Sequence, residues 1–530
     1  MTDPAPLAPS PSPLASGLAS RFAAWIADRA NPMLVRCIRQ ELRSKTFLGV
    51  FVLLLVVSAI AAIASAAASA DQVNSQVGRN LFSVLGWAWS LVVVIQAMST
   101  FQSVIRERNE DTWDLLDLTG MGPRPVLRGL LLANLVQGQL YTAALAPFLV
   151  MAYLLRGIDL LTIAFALVFV PLAGIAASTL AVFFASIGNN KPARAFFGGL
   201  LGLGLTGVWL GSAALWFDLR WLDSFLGTLL IGDLDTCLIL GGFFNAWLAF
   251  VALMLVLSGA LMTHRAGDRS SGPRLLWFAI WINGLLWFTG VGTFYVNSSR
   301  GDDELASLLG VFAIMGVVWA GLLGLFSVSE DVAISPRQAR TITQAPRWRQ
   351  WATLLHGPGA TRGRLGFLAL LVASVLVGVV GSLMGGTRSF PHDACMGAAF
   401  LGCYLCLWLL IGDYLYRGPA RAWLDTTALR RGFLLVLLAA VCLGPVLVAL
   451  VIDAGNLRNS GTASVIGLLS PIMGVHQVMS DGPMRNDAAL IAVLLAGLAA
   501  FGMLLMQGLR LRIATQRIAA RQDDRNPRGE

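Results

Sequence analysis

The chain has 530 residues, of which 56% are apolar and 13% charged, with a mean hydropathy of +0.72 and a net charge of +9. A soluble domain is about 45–50% apolar and about 25% charged. The composition therefore excludes a disordered chain, a coiled coil, a disulfide scaffold and an ordinary cytosolic enzyme, and leaves an all-α polytopic membrane protein. The six cysteines are scattered, several of them inside apolar runs, and form no secreted disulfide framework. The positive charge reads as arginines massed on one side of a bilayer, with no nucleic-acid partner implied.

In chain order, residues 1–16 are rich in Pro, Ala and Ser and read as a disordered tail. A cleaved signal peptide fits poorly, because some 46 residues precede the first apolar run. Residues 17–46 carry apolar side chains at helical spacing, Leu18, Phe22 and Ile26, then Leu34, Ile38 and Leu42. Arg36, Arg39, Gln40 and Arg43 fill the other side, so this stretch predicts one or two amphipathic helices on the membrane surface. Asn31-Pro32 starts the second piece, since Pro suits a first helical turn.

A membrane-crossing helix needs about 20 apolar residues. Twelve such runs follow, near 47–69, 81–103, 129–155, 160–187, 195–217, 237–262, 275–297, 305–327, 365–384, 396–416, 432–452 and 487–508. Placing the N-terminus in the cytoplasm puts 31 of the 38 Lys and Arg residues on inner segments and 7 on outer ones. That bias sets the expected orientation, with both termini cytoplasmic in a bacterial inner membrane. The basic tail 509–530 belongs to the inner side.

The middles of the runs hold almost no ionisable group. They hold amides: Gln96, Asn134, Gln137, Gln139, Asn245, Asn283 and Gln507. A charge in mid-bilayer usually marks an ion or proton path, so its absence argues against a proton-coupled carrier or voltage sensor. Asp413 sits near an inner end. Amides in such helices bond across to neighbours or line a substrate path. For the second role the candidates are Gln96, Asn134, Gln137, Asn245 and Asn283. Gly198/Gly202 and Gly381/Gly385 have the spacing that lets helices approach closely.

The inner loop 104–128 is the most informative stretch. Asp111 or Thr112 can cap a short helix, Trp113 and Leu116 give it an apolar edge, Thr119-Gly120 stops it, and Pro123 starts the next helix. Such a helix suits a groove in another protein or, as a lipid-facing turn, the headgroup layer.

At these residues the chain resembles the membrane-spanning permease subunit of type-2 ABC transporters of the exporter type. The family opens with Asn-Pro, a basic residue, Glu-Leu-Arg and a further basic residue, matched here by Asn31-Pro32, Arg36, Glu41-Leu42-Arg43 and Lys45. After its second span it carries a pattern matched by Glu107-Arg108, Thr112, Leu115-Leu116, Thr119 and Pro123, while Asn109 and Asp111 depart from it. The resemblance implies that Glu107, Arg108, Glu110, Thr112, Trp113, Leu115, Leu116 and Thr119 couple the membrane domain to a separate cytoplasmic ATP-binding subunit. Arg36, Glu41, Arg43 and Lys45 would belong to the interfacial helix. ATP and magnesium are expected on that partner and no cofactor on this chain. Further expected partners are the lipid bilayer and a second permease subunit, as a homodimer or a different chain.

Loop lengths repeat. Residues 47–262 form a first six-helix unit, 263–274 a linker, and 275–508 a diverged second unit whose inner loop, 328–364, has a helix predicted over Arg347–His356. Outer segments 217–236 and 453–486 are too short or polar to cross and are expected to dip into the outer leaflet.

An ATP-binding loop needs Gly-x4-Gly-Lys-Ser/Thr, and the two lysines, Lys45 and Lys191, follow Ser44 and Asn190. Cys403 and Cys406, and His392, Asp393 and Cys395, lack the partners of a metal site. The expectation is a non-enzymatic transport subunit without its own ATPase site. An ATP-independent carrier or a membrane scaffold is the rival reading.

Overall fold

The computed structural model describes residues 32–71, 75–109, 123–188, 191–263, 268–295, 302–330, 342, 344, 346–385, 389–417, 427–454, 470–479 and 491–509. Among them every regular element is helical. Eleven helices are long and apolar enough to cross a membrane, and the run 432–452 lies in a further helix, Thr427–Ala454. The chain is a multi-pass helical membrane protein. Helices are the required solution, because hydrocarbon offers no partner to an unpaired backbone N–H or C=O.

Contacts divide the chain into two units, Met1–Thr263 and His264–Glu530. The first holds α1 (Pro32–Leu42), α2 (Lys45–Asp71), α3 (Ser75–Asn109), α4 (Pro123–Leu154), α5 (Leu160–Ile187), α6 (Lys191–Phe217), α7 (Arg220–Ile231) and α8 (Leu234–Met262). The amphipathic helix expected before the first span is α1. It does not rest on lipid alone: Leu34, Cys37 and Ile38 pack into the apolar cluster built by α3, α4 and α5. Ser44 then caps α2, its Oγ accepting from the Phe47 N–H at 3.0 Å.

The segment 217–236 contains α7, an amphipathic helix that turns Leu222 and Leu226 into the core cluster that also holds Phe82 and Leu85. Arg79 pairs with Asp223 at 2.6 Å over it. Gly232, at φ +76°, closes α7 in the left-handed conformation, and Asp233 caps α8 through the Thr236 N–H. One glycine thus reverses the chain where a side chain would be strained.

The second unit holds α9 (Ser271–Tyr295), α10 (Asp302–Val328), α11 (Arg347–His356), α12 (Ala360–Met384), α13 (Ser389–Arg417), α14 (Thr427–Ala454), α15 (Pro471–Met479) and α16 (Ile491–Leu509). The central helix is α10, which packs on α9, α12 and α13. The helix predicted over Arg347–His356 is present as α11. Of the segment 453–486, residues 453–454 end α14 and 470–479 contain α15, whose Val475 and Val478 lie against Phe400. The tails 1–16 and 510–530 and the first amphipathic piece, Leu18 to Ile26, lie outside the described residues.

A buried polar layer as candidate site

Two apolar clusters make the core of the first unit. One gathers Leu81–Val92 of α3, Tyr141–Ala152 of α4 and Ile163–Val170 of α5; the other gathers Ala97–Val104, Val126–Ala133 and Ala181–Ala185 of the same helices. Each helix crosses from one cluster to the other through polar residues: Gln96 on α3, Asn134 and Gln137 on α4, Ser178 on α5. All four are buried.

Gln96, Asn134 and Ser178 form one directed chain of hydrogen bonds. The Gln96 amide donates to the backbone carbonyl of Asn134, the Asn134 amide donates to Ser178 Oγ, and the Ser178 hydroxyl donates to the Gly174 carbonyl at 2.7 Å. Every link satisfies a group that would be costly to bury alone. Gln137 donates to Tyr141 of its own helix at 3.2 Å, and the Tyr141 ring packs on Phe47 and Phe51 of α2. Glycine sets the spacing. A Cβ at Gly138 would lie 2.9 Å from Gln96 Nε2, so the bare backbone there leaves room for the Gln96 amide.

Beside the chain lies a cavity of about 150 Å³ walled by α3, α4, α5 and α8, with Gln96, Asn134, Thr142, Ser178 and Thr179 among its lining. Pro171, also in its wall, supplies no N–H to the carbonyl of Leu167. Trp247 of α8 bonds the neighbouring Leu172 carbonyl at 3.0 Å. No lining side chain is ionisable.

The polar line continues toward α1. A gap of about 10 Å³ is lined by Asn134 and Gln137 at one end and by Ser103, Cys37 and Glu41 at the other. The Ser103 hydroxyl donates to Glu41 at 2.7 Å, Arg106 stands 4.0 Å from the same carboxylate, and Arg36 pairs with Glu107 at 3.3 Å. Burial first, then the Glu107 carboxylate, pushes the Cys37 thiol up to about 11. Arg43 and Lys45 are exposed.

Arg108 clasps a helix end. One of its guanidinium nitrogens donates to the carbonyls of Ala185, Ser186 and Gly188 at 2.8, 3.2 and 3.0 Å. It neutralises the C-terminal end of α5, where carbonyls lack helical partners. Glu110, Thr112, Trp113, Leu115, Leu116 and Thr119 lie outside the described residues.

Comparison with protein-family models, with curated proteins and with solved structures yields no match.

Of the five amides chosen from the sequence, Gln96, Asn134 and Gln137 come together. Asn245 is half-buried on α8 away from the cavity wall, and Asn283 is exposed on α9 of the other unit. The sequence reading missed Thr142, Ser178 and Thr179, because small hydroxyl residues in an apolar run carry no signal of their own. It also placed Arg274 and Arg364 among loop charges. The structure buries both: Arg274 bridges Glu330 at 2.6 Å and the Gly359 carbonyl at 3.1 Å, and Arg364 pairs with Asp413 and with Gln507 of α16. Among the described residues no three His, Cys, Asp or Glu gather as metal ligands.

Proposed function

We propose that this chain is the permease subunit of an ABC transporter of the exporter type, driven by a separate cytoplasmic ATPase that brings ATP and magnesium. The carrying observation is that α1, which holds the first stretch of the family-like pattern, meets Glu107, where the second stretch begins. Arg36 and Glu41 of α1 reach Glu107 and Ser103 near the end of α3, just before residues 110–122, the segment the family-like pattern assigns to coupling. Motion imposed on that segment would be felt by α1 and α3 together. The polar layer of Gln96, Asn134 and Ser178 gives the membrane interior a hydrogen-bonding face without charge, as a substrate path needs. A partner ATPase would supply the work and this chain the path.

The test is co-purification of the ATPase with the wild-type chain and with the Trp113→Ala, Leu116→Ala double variant, matched for membrane abundance. Truncating an interface anchor commonly costs about 2 kcal/mol, near thirtyfold in affinity. Loss of the ATPase supports the reading; equal recovery with unchanged stimulated ATPase activity overturns the coupling role. The purified chain alone should not hydrolyse ATP.

The uncharged cavity favours a second reading, an ATP-independent carrier. Transport by the purified chain in vesicles without nucleotide would decide for it.

A further inference from the structure

We infer that the cavity between α3, α4, α5 and α8 takes the polar part of an uncharged amphiphile arriving sideways from the bilayer. Its purpose rests on the permease reading; its chemistry rests on the cavity. Gln139 lies near the middle of α4, exposed, at the cavity lip, with no hydrogen-bond partner among the described residues. An amide at that depth gains only from a ligand that bonds it, since lipid tails cannot. Behind it stand the hydroxyls of Thr142, Ser178 and Thr179 and the amides of Gln96 and Asn134.

The complementary groups are hydroxyls, esters and amides. A phosphate or ammonium head would lose its hydration with no counter-charge in the lining. Size points the same way. About 150 Å³ is below the few hundred Å³ that enclose a whole drug-sized ligand, so a glycerol-sized head fits while its tails stay outside. The rim provides for tails: Leu132 is 47% exposed, and Leu131, Leu135, Val251 and Leu255 complete an apolar lip.

The probe is a photoreactive diacylglycerol in phosphatidylcholine nanodiscs holding the full chain, with a photoreactive phosphatidic acid of the same acyl chains as its charged counterpart. The diacylglycerol should crosslink peptides covering 131–142 and 170–179 at least about fivefold over phosphatidic acid. Gly174→Leu should abolish that labelling. A Cβ at Gly174 meets nothing nearer than Val93 at 3.9 Å and Gln96 at 4.0 Å, so added bulk fills the cavity before it disturbs packing. Gln139→Leu, on an exposed position that folding tolerates, should lower labelling about fivefold, the equivalent of one hydrogen bond. Equal labelling by both probes, or labelling indifferent to both variants, overturns the inference. With an ATPase partner in vesicles, nucleotide-dependent loss of the crosslink marks the ligand as cargo and a nucleotide-insensitive crosslink marks a resident lipid; both uphold the site. Failure of the ATPase to co-purify leaves the crosslink intact and counts against the permease reading alone.

Discussion

Trp87 of α3 and Trp209 of α6 hold each other twice: each indole N–H donates to the other's backbone carbonyl, at 3.3 and 3.2 Å, while the rings stack with centroids 4.6 Å apart. In the second unit, Trp277 of α9 and Trp319 of α10 do the same at 3.0 and 3.1 Å, with centroids at 4.1 Å. Two helical backbones are thus joined by side chains that stack and donate at once. Replacing Trp87 or Trp209 by Phe should cost about 0.6–1.5 kcal/mol each. The double variant should cost less than the sum, with a coupling of about 0.5–1.5 kcal/mol. Unfolding in mixed micelles measures this; strict additivity would mean the two rings are energetically independent.

The buried pair Arg364–Asp413 sets up an asymmetric result. Both side chains are almost fully enclosed. Removing one partner leaves an uncompensated charge, so Arg364→Leu or Asp413→Leu alone should destabilise by about 3–5 kcal/mol. Removing both should recover most of that loss. A double variant no more stable than either single one would contradict the account.

Cys37 predicts a pH effect of definite sign. The folded chain holds the thiol proton more tightly than the unfolded chain does, with the thiol raised from its ordinary 9.0 to about 11. The neutral thiol's contribution is therefore complete below about pH 9 and is lost as pH rises toward 11. Alkylation of Cys37 by a membrane-permeant reagent should be slow at pH 8 and reach half its limiting rate near pH 11, with Cys37→Ala removing the signal. Rapid modification at pH 7 would show that α1 does not stay docked.

Gly86 should resist the smallest substitution. A Cβ there would sit 2.2 Å from the Trp216 ring, whose indole N–H donates to Ser90 at 2.7 Å and whose edge meets Phe82. Gly86→Ala must push α6 away from α3 or turn the indole out, at about 1–3 kcal/mol. Thermal stability of the detergent-solubilised variant reads the cost, and Trp216→Phe in the same chain should recover part of it.

The crossings were legible because run length is a coarse property: the run 81–103 needed only its apolar content, and the helix Ser75–Asn109 adds polar turns at both ends. The amphipathic period of Leu34, Ile38 and Leu42 also falls within one helix, Pro32–Leu42. The inward face of a crossing helix was not legible. A helix apolar on every side has no periodicity to show which residues meet neighbours and which meet lipid. Gln96 and Asn245 therefore look alike in sequence, although the first is buried between three helices and the second stands apart from the cavity. Arg364 misled for a related reason. It falls at the edge of an apolar run, where a charge is expected to reach water, and partners distant in sequence, Asp413 and Gln507, hold it inside.

The three-carbonyl clasp of Arg108 ties the last turn of α3 to the last turn of α5. The chain leaves α3 one residue later, at Asn109. A tug on the segment beyond is therefore shared at its root between two rods. Together those rods carry Gln96, Gly174 and Ser178, three of the four groups in the hydrogen-bond relay. The fourth, Asn134, sits on α4, whose first residue, Pro123, is where the same segment ends. In sequence the segment thus joins the α3–α5 pair that Arg108 clasps to α4, and the Asn134–Ser178 hydrogen bond ties those same two groups of helices together.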